Sequence, residues 1–257
     1  MSINPIVNKN GGQIKGDEIA IASLNGSVIN ETYSNTYTED SVLNKKTLFG
    51  TKQLKNGDFT NTEIGKTSSI ESTGGDLVIF AKEDITNVGA NLKAENNVIL
   101  KTQDGDINLN AIKKDSGHNL NFSGGFDKSK DVEYQTSDIE SNNIIMQSAN
   151  DINLQASKLK AKEDINLNAS NDVNVEALNN EYYRDRQITT KGAFSKKTTR
   201  DMEYKESVNS SEFNAENIYI SSGNDVNLQA TKLKAKENIV VDADWNDPKL
   251  VDNFLII

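Results

Sequence analysis

Residues 151–165 read DINLQASKLKAKEDI, and residues 225–239 read DVNLQATKLKAKENI. Twelve of the fifteen positions are identical, and the others are Ile/Val, Ser/Thr and Asp/Asn exchanges. Near-duplication at an offset of 74 residues is the mark of a chain built from stacked equivalent units. Within the first copy Ile152, Leu154 and Ala156 alternate with Asn153 and Gln155. Leu159 and Ala161 flank Lys160, and Ile165, Leu167, Ala169 and then Val173, Val175, Ala177 follow. Alternation with period two in short runs predicts strands with one buried face, and no helical spacing competes with it.

An Asp or Asn heads each run, and these residues set the period. Asn143, Asp151, Asp164 and Asp172 are separated by 8, 13 and 8 residues, a cycle of 21. At about 3.3 Å per strand residue, one cycle traces roughly 70 Å, enough for one winding of a narrow prism. Equivalent strands of successive windings then lie in parallel register. The expected fold is all-β, a right-handed parallel β-helix by the usual crossover chirality, with about 21 residues per coil. Asp76, Asp84 and Asn97 repeat the 8 and 13 spacing, as do Asn217, Asp225 and Asn238. The runs 77–79 and 218–220 therefore fill the slot of 144–146. Six or seven coils are expected, a rod of roughly 30–35 Å. Asn, Asp and Gly at the corners would tolerate left-handed backbone. The LKAK segments and the Asp positions are expected to stack like on like and to repel, with solvent screening.

Three polar segments, about 31–68, 112–138 and 178–212, break the period and are expected to leave the rod as β-hairpins. Each carries a Phe followed by cations: Phe49 with Lys52, Phe126 with Lys128 and Lys130, and Phe194 with Lys196 and Lys197. Per-repeat insertions tend to fall on one face, often the binding face, so these residues are the candidate contact positions. The alternative is that each Phe packs on its own hairpin and the lysines only solvate it. The β-helix is expected over 1–243, with 244–257 a divergent tail, either a truncation product or a cap in which Trp245, Phe254 and Leu255 fold over the last coil.

Hydrophobic residues make up 35% of the chain, which suits a thin core running along a rod. The net charge of −10 argues against nucleic acid as a partner, which needs a basic face. There is no Cys, hence no disulfide and no thiolate metal site. No run of about 18 apolar residues predicts a membrane span, and the N-terminus lacks the pattern of a signal peptide. His118 is the only His; in GHNLNF it reads as a turn residue rather than a member of a triad. The glycines at 74–75 and 123–127 lack the following GK[ST] of a phosphate loop, and Asp104 and Asp106 read as a turn. No catalytic, cofactor or metal site is expected. A polysaccharide-degrading enzyme on the same scaffold is the alternative class, but the acids recur with the coil period, as structural residues would.

The string DINLQASKLKAKEDINLNASNDVNVEA, a Tyr/Lys/Ser/Thr-rich excursion, and then SSEFNAENIYISSGNDVNLQATKLKAKENI together resemble the haemagglutinin-repeat region of filamentous haemagglutinins and contact-dependent inhibition toxins. The opening NGGQIKGDEIAIASLNGSVINET shares the likeness, which spans roughly 5–243. The resemblance implies a non-catalytic, secreted or surface-exposed bacterial stalk without a cofactor. It also implies export by two-partner secretion through an outer-membrane partner transporter. The stalk would serve an adhesin, whose partner is a host or bacterial cell-surface receptor, or the repeat region of a contact-dependent growth inhibition toxin. The chain is expected to be a fragment of a longer exoprotein, since neither the family's secretion domain nor a toxin domain is seen.

Overall fold

The computed structural model describes residues 4–48 and 50–243. The chain winds through seven coils, each contributing one strand to each of three faces. Coil one holds β1 (Ile6–Lys9), β2 (Gln13–Gly16) and β3 (Ile19–Ser23). Coil two holds β4 (Val28–Glu31), the hairpin β5 (Ser34–Thr47) and β6 (Gly50–Ile64), then β7 (Ser69–Ser72) and β8 (Leu77–Ala81). Coil three is plain again, with β9 (Ile85–Val88), β10 (Asn91–Ala94) and β11 (Asn97–Thr102). Coil four has β12 (Ile107–Asn110), the hairpin β13 (Ile112–Phe122) and β14 (Gly125–Gln135), then β15 (Asp138–Ser141) and β16 (Asn143–Ser148). Coil five has β17 (Ile152–Gln155), β18 (Lys158–Ala161) and β19 (Asp164–Ala169). Coil six has β20 (Val173–Glu176), the hairpin β21 (Leu178–Lys191) and β22 (Lys196–Asn209), then β23 (Glu212–Ser222), which serves two faces. Coil seven has β24 (Val226–Leu228) and β25 (Lys232–Ala243), which again serves two faces. Face one is the seven-stranded parallel sheet from β1 to β24. Faces two and three begin with β2 and β3, and β23 and β25 join them. This is a parallel β-helix.

The expected period holds residue by residue. Ile144 lies directly beside Ile165, 21 residues on, and Leu77, Val98, Ile144, Ile165 and Ile218 form one column. On face two Ile14, Ile70, Leu92, Ile139, Leu159, Phe213 and Leu233 stack in turn. The side chains between the ends of these columns are all but inaccessible, and each contributes about 1.5–3 kcal/mol by leaving water. The core is polar only at its N-terminal end. There Asn8 donates to Asn30 Oδ1 at 2.8 Å and Asn30 to Asn87 Oδ1 at 2.7 Å, inside the helix. From coil four onward the same slot holds Leu109, Leu154 and Val175.

The residues heading each run hold successive coils together. Asp84, Asp106, Asp151 and Asp172 each use Oδ1 to accept the backbone N–H of the corresponding Asp one coil later, at 2.9–3.1 Å. Asn150, Asn171 and Asn224 donate to the last three of these carboxylates. Charge-assisted bonds to N–H groups make the acid column a ladder. The expected stacking of LKAK on LKAK is not found. The offset of 74 residues spans two coils, so the column on face two runs Lys15, Glu71, Lys93, Glu140, Lys160, Asn214, Lys234. Its signs alternate for five coils, and Lys160 reaches Glu140 at 3.1 Å.

Left-handed backbone is also used differently from expectation. In the plain coils it falls at the corner between faces one and two: at Asn10 and Gly11, Gly89, Ala156 and Ala230. The heading Asp residues do not adopt it. In the intervening coils the same corner opens into the hairpins β5–β6, β13–β14 and β21–β22. The returning chain is anchored by Ser68, Ser137 and Ser211, all fully buried, whose hydroxyls bind backbone carbonyls of neighbouring strands.

Candidate functional site

The three hairpins make one structure. They lie side by side as a six-stranded antiparallel sheet in the order β5-β6-β13-β14-β21-β22, the order of their coils. The geometry is commensurate: two coils rise about 9.6 Å, and a two-stranded hairpin is about 9.6 Å wide. A hairpin in every second coil therefore fills a continuous lateral sheet without gaps.

Glycines bring neighbouring hairpins together. A Cβ on Gly125 would stand 1.8 Å from the Gln187 carbonyl oxygen across the β14–β21 seam, and one on Gly57 would stand 2.0 Å from that of Asn119 across the β6–β13 seam. Only a residue without a side chain permits this approach. Nearer the body β6 and β13 part, and Thr62 bridges them by accepting from Asp115 N–H at 2.9 Å and donating to its carbonyl at 3.0 Å.

Both faces of the sheet carry polar side chains paired across strands. On one face Asp185, itself largely buried, binds the Arg200 guanidinium through two bonds of 2.8 and 2.7 Å. This pairing holds the Asp185 carboxyl below its ordinary value. Arg200 and Lys128 both lie over the Phe126 ring, at 5.9 and 5.5 Å. Lys130 meets Glu181 at 2.6 Å, which raises the lysine pKa. On the other face His118 Nδ1 is 2.8 Å from Ser129 Oγ and Nε2 is 3.3 Å from Asp127 Oδ1. Arg184 and Arg186 also approach Asp127, at 3.8 and 3.5 Å. Phe59, Asn61, His118, Ser129, Tyr182 and Arg184 border a shallow groove of about 460 Å³. His118 is thus not the turn residue its sequence context suggests: it lies within β13, paired with Phe59 and Ser129 in the neighbouring strands.

The candidate contact residues are dispersed over this sheet. Phe194 is fully exposed in the turn between β21 and β22. Lys196 and Lys197 open β22 beside it and are exposed. Phe126 is half-buried near the β13–β14 turn, on the face that carries Lys128 and Lys130. Lys52 is in β6, opposite Lys45. Phe49 lies outside the described residues, as does the tail from 244. Asp185, Arg200, His118 and Ser129 were not singled out by the sequence. Asp185 and Arg200 were accessible to it: once the turn is placed at 192–195, hairpin register sets Gln187 opposite Arg200 and Asp185 one pair away.

Among the described residues no cluster of three or more His, Cys, Asp or Glu is placed to hold a metal ion, and no helix is long and apolar enough to cross a membrane. Fold and site define the class: a parallel β-helical repeat protein with a lateral sheet built from insertions in alternate coils. The hemagglutinin repeat family model matches residues 50–129 and again 126–246, and the chain belongs to that family. Neither a curated protein nor a solved structure matches it.

Proposed function

We propose that the chain is a non-catalytic stalk segment of a secreted or surface-exposed bacterial haemagglutinin-like adhesin. In this reading the β-helix is the spacer and the lateral sheet the contact surface. The observation that carries it is the insertion of all three hairpins at one corner of alternate coils. That placement presents a single broad polar panel with an exposed aromatic, Phe194, at its outer margin. Conserving the spacing of a panel matters to a surface that binds, and is not required of a plain spacer.

The Ser129, His118 and Asp127 group supports no enzymatic reading. Ser129 is paired on both sides, with His118 and with Arg184, so its backbone N–H lies within the ladder rather than facing a substrate oxygen. Asp127 is shared with two arginines. A hydroxyl nucleophile also needs donors preorganised for the oxyanion, and a flat paired sheet supplies none.

The partners in this reading are an outer-membrane transporter for the exported protein and a cell-surface receptor. A stalk in a contact-dependent growth inhibition toxin would share the rod, and the flanking DNA separates the two by showing whether a toxin domain and a small immunity gene follow. The contact reading is tested with purified protein on cells and glycan arrays. Replacing Phe194, Lys196 and Lys197 by Ala together should abolish binding with the circular dichroism spectrum unchanged; undiminished binding refutes these residues as the contact.

A further inference from the structure

The outer edge of the lateral sheet at β22 differs from the edge at β5. In β5 the register slips between Leu43 and Asn44, a bulge of the kind that blunts edge strands. β22 pairs with β21 without interruption over its 14 residues. Its opposite side has no neighbour, so alternate N–H and C=O groups along it are open to another strand. Nearly all its side chains are exposed, including Met202, Tyr204 and Val208.

We propose that β22 is a self-association site, at which a second copy of this chain adds its own β22 antiparallel about a two-fold axis through Glu203. The argument is charge complementarity. In that register Arg200 opposes Glu206 of the second copy, Asp201 opposes Lys205, and Met202 opposes Tyr204, and symmetry makes each pair occur twice. Centring the axis on Met202 instead sets Asp201 against Glu203. Centring it on Tyr204 keeps one kind of opposite-charge pair, Glu203 with Lys205. Charges on β22 that repel a strand of arbitrary sequence thus select its own. The product is a continuous sheet running through both copies, with two rods held side by side in opposite directions. The proposal does not depend on the adhesin reading, because it concerns only the edge of the sheet.

Sedimentation velocity over a range of concentrations tests it. The chain should form dimers. Asp201→Lys and Lys205→Asp should each weaken self-association by roughly ten-fold or more, since two attractive pairs become two repulsive ones. An equimolar mixture of the two variants should restore the dimer, because each then faces its complement. Glu203→Gln should tighten association by removing the like-charge pair on the axis. A chain that stays monomeric to millimolar concentration overturns the proposal. So does a dimer indifferent to both charge reversals, a mixture that fails to recover, or a Glu203→Gln dimer no tighter than the parent.

Discussion

The β-helix and the lateral sheet are built from the same chain, at the same strand spacing, by opposite means. The rod buries an apolar stack on each face, so its strands have one dry side, and register is fixed because a slip of one residue would expose every Ile and Leu. The sheet has two wet sides. Its register rests on cross-strand pairs such as Asp185 with Arg200 and Lys130 with Glu181, and on glycines at the seams. The rod should therefore respond to lost volume, and the sheet to lost fit and charge.

The largest effect should come from Phe213→Ala. Phe213 is fully buried between Leu159 and Leu233, and its truncation should cost about 3–5 kcal/mol, read by denaturant unfolding followed by far-ultraviolet circular dichroism. A loss under 1 kcal/mol would mean that the stack is not what holds the rod. Next, Gly125→Ala should cost about 1–3 kcal/mol, but locally. Amide exchange should quicken in β14 and β21 and stay slow in β17 and β19; equal quickening in both regions would show that sheet and rod unfold as one. Asp151→Ala deprives Asp172 N–H and the Asn171 amide of their acceptor and should cost about 1–2 kcal/mol, with the slow exchange of the Asp172 amide lost.

Acid should separate the regions further. The Asp185 carboxyl titrates below its ordinary value of 3.8 because it is bonded to Arg200. Its stabilising contribution is fully present above pH 3.8 and is lost as pH falls through the lowered folded value. Exchange in β21 and β22 should rise over that range. Glu140 and Glu212 on the rod are lowered in the same direction by Lys160 and Lys234, but the apolar columns beneath them do not titrate. Protection lost first in the rod would reverse the comparison. Smallest of all, Lys160→Ala should change unfolding by no more than about 0.5 kcal/mol, since its pair with Glu140 is exposed.

The same contrast explains what could be read from the sequence. The pairing of Ile144 with Ile165 was legible because burial forces period two, and the corner Asp and Asn residues count out the coil. The inward Asn30 and Asn87 were not, since an amide ladder places polar residues where the pattern calls for apolar ones. Within a hairpin the turn sets the register. Between hairpins nothing local announces that Gly125 will meet Ile188, because both strands are polar on both sides and the segments lie in different excursions. For that reason His118, which looks isolated in GHNLNF, could not be matched with Phe59 and Ser129 on the strands flanking it. Phe194 was recognisable as a tip residue because the turn around it is local. The cover that Arg200 gives Phe126 required the assembled sheet.

The match between hairpin width and the rise of two coils also restricts how such a molecule can lengthen. Inserting one more plain winding between two hairpin-bearing ones would pull their strands a full strand spacing apart and tear the side panel, although the rod itself would accept the addition. Viable duplications must then come as a plain winding together with its decorated neighbour, and gene lengths in such proteins should step by the pair rather than by the single turn.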